Sequence, residues 1–293
     1  MIFSFNFYSL FFLLFYLTSC GQNNRTPDTV EKKMNQSYIY GIDYSINNRF
    51  EILINDELVA KNNEDINSSA FLPINELLLS GIRPELKIRL YNSINEQYIR
   101  EDIYKYFNLK IVLSNNNMFE NFITIQDINI PKVIKNKEFV EYTFLLEIDS
   151  DKLNPIVGWS KSNNLVNENQ KILLNELYDN YNRIFKILNS GNYQEFYKNI
   201  EKREKEIQIA YFDSPEILSE QEDEKERVSN AKNKMVTIDF SKYKLKFYGN
   251  GKMITLEDDN GDSPLFYEKD NVQYFFGIVL HRPKAGAPLE IIR

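Results

Sequence analysis

Only one cysteine, one histidine and one tryptophan occur in 293 residues, alongside 10 glycines and 9 prolines. The lone thiol, Cys20, excludes an intrachain disulfide and any zinc site built on several thiolates. The lone histidine, His281, excludes His-Glu-x-x-His metalloprotease helices, and any serine triad would have to be built on His281 itself. Basic residues are outnumbered, 35 Lys and Arg against 42 Asp and Glu, for a net charge of −7. The concentrated basic face that phosphate binding requires is missing, so nucleic acid is not an expected partner. What remains is a globular composition, 43% hydrophobic and 26% charged, with apolar material for two cores.

An uncharged, largely apolar stretch, Met1 to Ser19, is rich in Phe, Leu and Tyr and is followed after Cys20 by the polar run Gly21-Gln22-Asn23-Asn24-Arg25. It is short for a transmembrane helix, which needs about 20 apolar residues, and suits the apolar region of a signal peptide. At its end, Leu17-Thr18-Ser19-Cys20 resembles the lipobox of bacterial lipoproteins: an aliphatic residue, two small ones, then cysteine. No Lys or Arg precedes Cys20, which departs from the basic start of most such leaders. The resemblance implies cleavage before Cys20, a diacylglyceryl group on its sulfur and acylation of the new amino terminus. Two or three acyl chains anchor stably where one does not. Gly21 and Gln22, with no Asp at the second position, imply by the same resemblance an outer-membrane location facing the periplasm.

Residues 20–36 are polar and lack apolar periodicity, so they read as a tether. From residue 37 to about 150 the pattern is that of short strands. Phe50, Ile52 and Ile54 alternate with Glu51 and Leu53, and Leu86, Ile88 and Leu90 alternate with Lys87, Arg89 and Tyr91. Further strands fit 38–46, 57–60, 107–113, 122–130 and 140–148, with Asn55-Asp56 as a turn. Leu77-Leu78-Leu79 fits either a short helix or a buried strand. Short strands at regular intervals predict an antiparallel β-sandwich of immunoglobulin-like or related type.

Residues 149–167 form a Pro/Gly/Ser/Asn-rich break containing Trp159, after which the period changes from 2 to 3.6. Two separable folding units meeting there are expected. Leu173, Leu177, Tyr181, Ile184 and Leu188 make a helical stripe closed by Gly191. Asn192 and Glu195 resemble a capping box for a second helix, and Ser214-Pro215-Glu216 opens a third, highly charged and expected to lie largely in water. Strands are predicted over 235–240, 243–248, 253–257, 272–280 and 289–293, with Asn250-Gly251 as a hairpin turn. The region 168–293 is thus an α+β domain. Its order of elements resembles the NTF2-like or cystatin-like cone, in which a helix crosses a curved sheet and closes a pocket.

Few residues carry a chemical signal. Asp258-Asp259-Asn260-Gly261-Asp262 has the oxygens a hard cation wants, but the EF-hand template fails: Gly261 at the sixth position puts Leu256 first and Tyr267 where the bidentate Glu belongs. A strand-connecting turn explains the same residues. His281 ends an apolar run with no partner assignable from sequence, and reads as a strand-end histidine bonded to backbone or solvent. Lys242, Lys244 and Lys246 alternate with Tyr243, Leu245 and Phe247, giving one basic strand face for an acidic partner, lipid headgroups or solvent. Glu220, Glu222, Asp223 and Glu224 make the third helix acidic, a face for a basic protein or for solvent. Trp159 fits packing of the interdomain junction better than sugar stacking.

These readings predict a lipid-anchored cell-envelope protein with no catalytic residue, no cofactor and no metal, which works by binding a protein partner. The lipobox, acidic surface and lack of a catalytic motif resemble immunity lipoproteins that neutralise an interbacterial toxin by stoichiometric binding. Two alternatives stay open. One is an envelope ligand-binding or assembly lipoprotein with its ligand in the C-terminal cone. The other is a carboxylate-based hydrolase, since glycoside hydrolysis needs only two carboxyl groups about 5–9.5 Å apart.

Overall fold

Residues 37–115, 120–132, 137–154 and 156–293 are described by a computed structural model. Cys20, the leader before it and the 20–36 tether lie outside them. No helix among the described residues is long and apolar enough to cross a membrane.

The first half consists of eight strands, β1 (Ile39–Asn47), β2 (Phe50–Ile54), β3 (Glu57–Asn62), β4 (Asn67–Pro73), β5 (Glu85–Tyr91), β6 (Phe107–Ser114), β7 (Ile123–Asp127) and β8 (Phe139–Leu145). They form two four-stranded antiparallel sheets, ordered β4-β1-β6-β7 and β3-β2-β5-β8, consistent with a sandwich. The alternating residues do what their period requires. Leu86, Ile88 and Leu90 pair in register with Ile54, Ile52 and Phe50, and all six are buried between the sheets. Strands β1 and β2 belong to different sheets, which departs from the A-B-E-D arrangement of the immunoglobulin constant type.

Asn55 and Asp56 both take positive φ (50° and 62°) and close β2 onto β3 as a two-residue hairpin. Gly41 has a steric reason: a Cβ there would come within 2.2 Å of the Phe71 ring. Strand β4 is not legible as a hydrophobic pattern. Its polar start is held by hydroxyl and amide contacts, Ser69 Oγ donating to Ser45 Oγ at 2.8 Å and Asn67 Nδ2 to Ser69 Oγ at 3.0 Å. Of the Leu77-Leu78-Leu79 run, Leu77 ends a single 3-10 turn, and all three leucines are buried.

The second half holds three helices, α1 (Gln170–Ser190), α2 (Tyr193–Ala210) and α3 (Pro215–Asn230). The caps expected at Gly191, Asn192 and Ser214 are present, and Asn169 adds one the sequence pattern did not single out. Asn169 accepts from Lys171 and Ile172 backbone N–H, Asn192 from Glu195, and Ser214 from Ile217, while Gly191 ends α1 with φ 67°. The capping box at α2 is half-made, since the Glu195 carboxylate turns to Lys198 instead of back to Asn192.

Six short strands follow: β9 (Lys244–Tyr248), β10 (Met253–Glu257), β11 (Phe266–Lys269), β12 (Val272–Phe275), β13 (Leu280–His281) and β14 (Glu290–Ile291). They make a four-stranded sheet ordered β14-β13-β10-β9 and a separate β11–β12 hairpin, so the whole is a mixed α/β chain with four antiparallel sheets. Two expectations are corrected here. Residues 235–240 make only one bridge, Met235 to Tyr267, because Val236 N–H bonds Phe266 O and the chain then leaves the sheet. The run 272–280 is two strands in different sheets, separated at residues 276–279, where Phe276 N–H turns to Leu265 O.

The α1 stripe Leu173, Leu177, Tyr181, Ile184 and Leu188 is buried against the four-stranded sheet. Tyr181 crosses that interface: its hydroxyl accepts from Leu256 N–H at 3.1 Å and shares a hydrogen bond with Thr255 Oγ1 at 2.9 Å. Burial pushes its phenol pKa up to about 12, against the lowering pull of its bonds with Thr255 and Leu256.

The break at 149–167 is built into the core. Ile156, Trp159 and Leu165 are buried. The sandwich's hydrophobic cluster continues through Ile156 and Trp159 into Ala210, Tyr211 and Ile217 at the α2–α3 corner, Met253 and Ile292. Trp159 is 2% exposed, and Gly249 gives it room: a Cβ there would lie 2.6 Å from the indole. The halves are also bonded side by side. Gly249 N–H donates to Asp56 O at 2.9 Å, Asn250 N–H to Asp56 Oδ2 at 2.9 Å, and Asn63 Nδ2 to Asn260 O at 3.0 Å.

Candidate functional site: the acidic third helix

Helix α3 is pinned by two buried residues and is charged throughout Glu222–Arg227. Ile217 enters the core shared with the sandwich and Val228 enters the second core, so the helix bridges the two clusters. Glu220, Glu222 and Asp223 are exposed. Glu222 pairs loosely with Lys225 at 3.2 Å, while Glu220 and Asp223 make no ion pair among the described residues. Partial desolvation, with Asp223, Glu204 and Glu216 nearby, holds the Glu220 carboxyl above its ordinary range.

Glu224 belongs elsewhere. Both its oxygens accept from Arg203 Nη2 at 3.0 Å, and Arg203 Nε in turn holds Glu204 Oε1 at 2.8 Å. Gln221 Nε2 donates to Glu204 Oε2 at 2.9 Å, and Gln208 Nε2 to Gln221 Oε1 at 3.0 Å. This interhelical network uses Glu224 internally and corrects its placement on a free acidic face. A pair so shielded from water is costly to break on one side only.

Beside the acidic face, a notch of about 240 Å³ opens between α3 and the β11–β12 hairpin, lined by Asp223, Glu226, Tyr267 and Tyr274 among others. The two tyrosine rings stack 4.9 Å apart with an interplanar angle of 7°. Arg227, on its wall, is committed to Phe275 O and to the face of Phe276, 5.0 Å from the ring centroid.

The lysines follow their expected period with one correction. Lys244 and Lys246 project from β9 with Leu245 and Phe247 half-buried, but Lys242 ends a 3-10 turn before the strand. Strand β9 is the edge of its sheet, and lysines on an edge strand oppose unwanted strand pairing. Lys242 and Lys244 pair with Asp239 and Asp259 respectively.

The Asp-rich loop is a turn. Asp258 Oδ1 accepts from Asn260 N–H at 2.8 Å and from Asp262 N–H at 2.9 Å, while Asp259 is engaged by Lys244. Among the described residues no group of three His, Cys, Asp or Glu side chains could hold a metal ion.

His281 has partners that sequence reasoning missed, because they come from distant segments. It is 1% exposed; Nδ1 lies 2.5 Å from Ser162 Oγ and Nε2 lies 2.9 Å from Glu290 Oε1. Lys202 Nζ reaches the same Glu290 oxygen at 2.7 Å. An ionised carboxylate only accepts, so Nε2 carries the proton and Nδ1 accepts the Ser162 hydroxyl. Burial, then the Lys202 charge, lowers the imidazole pKa below its ordinary value. Burial would raise Glu290, but Lys202 and His281 outweigh it and hold the carboxyl low.

Although these are triad residue types, their order in space is reversed. Ser162 is the buried end, and Glu290 and Lys202 face water. A nucleophile must face its substrate, whereas this chain of bonds fastens the 158–165 segment to β13, β14 and α2. Replacing His281 with Ala is expected to cost about 2–3 kcal/mol by leaving buried polar atoms unpaired. A neutral buried imidazole resists protonation, so its contribution is full above about pH 6.5 and is lost on acidification. Urea midpoints at pH 7.5 and 5.5 check this: the acid-dependent loss should shrink in His281→Ala.

No protein-family model, curated protein or solved structure matches this chain.

Proposed function

We propose that this chain is a lipid-anchored cell-envelope protein that acts by stoichiometric binding of a basic protein partner, in the manner of an immunity lipoprotein that neutralises an interbacterial toxin. Leu17-Thr18-Ser19-Cys20 supports the anchor, and by the same resemblance an outer-membrane site facing the periplasm. The observation that carries the binding reading is the exposed Glu220–Glu222–Asp223 run on a helix held rigid by Ile217, Val228 and the Arg203–Glu224 pair. A fixed acidic face steers a basic partner and chiefly raises its association rate. No catalytic role is assigned: His281 and Ser162 are used in packing.

For the second half, a helix laid across an antiparallel sheet supports the NTF2-like or cystatin-like reading. The interface where such a cone would hold a ligand is filled here by Leu177, Tyr181, Ile184 and Phe196, which favours a protein partner over a small molecule.

The test is reversal of Glu220, Glu222 and Asp223 to Lys, leaving Glu224 to neutralise Arg203. Exposed helix charges contribute little to stability, so the fold should persist. Association with the captured partner should slow about tenfold or more at low salt, with a weaker salt dependence than wild type. Capture is by pull-down from envelope extract or with the product of the neighbouring gene. Copurification of a small molecule with no protein would overturn the reading in favour of ligand binding.

A further inference from the structure

The junction between the two halves contains more acid than its base can neutralise. Arg293, with its side chain 8% exposed, reaches across from the second half: Nη2 donates to Glu76 O at 2.6 Å and Nη1 meets Glu206 Oε2 at 3.2 Å. Its guanidinium lies 4.9 Å from the Trp159 ring centroid. Glu206 is already committed, since its other oxygen accepts from Gly158 N–H at 3.0 Å.

Two further buried carboxyl groups of the sandwich lie within the electrostatic field of the same arginine. Glu57 opens β3 and is 8% exposed; Glu76 sits in the turn after β4. Their Oε2 atoms, and Arg293 Nε, are buried without a hydrogen-bond partner among the described residues. The charges facing Glu57 are Arg293, Glu257 on β10, Asp56 and Glu76, and those facing Glu76 are Arg293 and Glu220 on α3. One cation therefore stands against several anions, and Asp56 is itself held by Lys87 at 2.9 Å.

We propose that this junction is a proton-operated latch, closed when Glu57 and Glu76 are protonated and loosened when they ionise against the neighbouring carboxylates Glu257, Asp56 and Glu220. Burial is the main reason these carboxyls hold their protons, raising Glu57 to about 8 and Glu76 to about 7. A carboxyl whose folded pKa lies above its unfolded value favours the closed state fully below about pH 4.5, and that advantage is lost as the pH rises through 7 to 8. Titration of His281 acts below about pH 6.5 and in the opposite direction, so it does not mimic the effect. The latch needs neither the lipid anchor nor the protein partner, and its test involves neither.

Trp159, the only tryptophan, reports the junction directly. In the full chain, amide protection at residues 158–162, corrected for intrinsic base catalysis, should fall at least tenfold between pH 6 and pH 8.5, a factor set by about one unit of linked titration. Trp159 emission should shift to the red over the same range. The double variant Glu57→Gln, Glu76→Gln should keep its protection and its emission at pH 8.5. Constant wild-type protection over this range, or an equal loss in the double variant, would overturn the proposal. Should the double variant fail to fold, assigned carboxyl ¹³C titration of the wild-type chain decides: Glu57 and Glu76 both titrating above pH 6.5 support the latch, and either one titrating in the ordinary carboxylate range sinks it.

Discussion

Replacing Trp159 with Ala is expected to lower stability by about 3–5 kcal/mol, the range for removing a large aromatic side chain from a core. Both halves should lose structure in the same transition. The reasoning is in what the indole touches. It belongs to the cluster that runs from the sandwich strands to Ala210, Tyr211 and Ile217, and it packs under Arg293 and against Gly249. Its loss leaves a cavity where two cores meet and removes the surface on which a buried guanidinium rests. Urea unfolding followed by circular dichroism and by tyrosine fluorescence checks the prediction. Coincident curves with a lowered midpoint and an unchanged slope are the expected result. Two separated transitions would instead mark residues 150–167 as a linker between units that fold alone, and limited proteolysis there should then release stable fragments.

Replacing Cys20 with Ala is expected to abolish incorporation of labelled palmitate. Anchoring by acylation is worth about 0.8 kcal/mol per buried methylene, so two or three chains hold where one does not. No helix among the described residues is able to substitute by crossing the bilayer. The loss of label should be close to all-or-none. Label retained in the mutant would remove the lipoprotein reading and, with it, the envelope location on which the toxin-neutralising role depends.

Much of the architecture is written locally. Alternation at Leu86, Ile88 and Leu90 and the stripe from Leu173 to Leu188 specify a strand and a helix because side-chain direction repeats every 2 or 3.6 residues whatever the surroundings. The caps at Asn169, Asn192 and Ser214 follow from unsatisfied N–H groups at helix starts, which short polar side chains meet within three residues. Strand β4 was hidden because its polar start is held by cross-strand hydroxyl contacts with β1. The run 272–280 read as one strand because hydrophobicity cannot tell which of two sheets a residue joins.

The sites divide the same way. Composition and the run before Cys20 determine the expected address, the absence of soft-ligand chemistry and the acidity of α3, since each depends only on which residues are present. Tertiary structure alone decided that Glu224 turns inward to Arg203, separated by 21 positions, and that His281 meets Ser162 across 119. It likewise decided that Arg293 meets Glu206 and the Glu76 backbone oxygen beside the Trp159 ring. The physical reason is common to all three: ion pairing and desolvation depend on distance and burial in space, and groups far apart in the chain become neighbours only when the elements that carry them pack together.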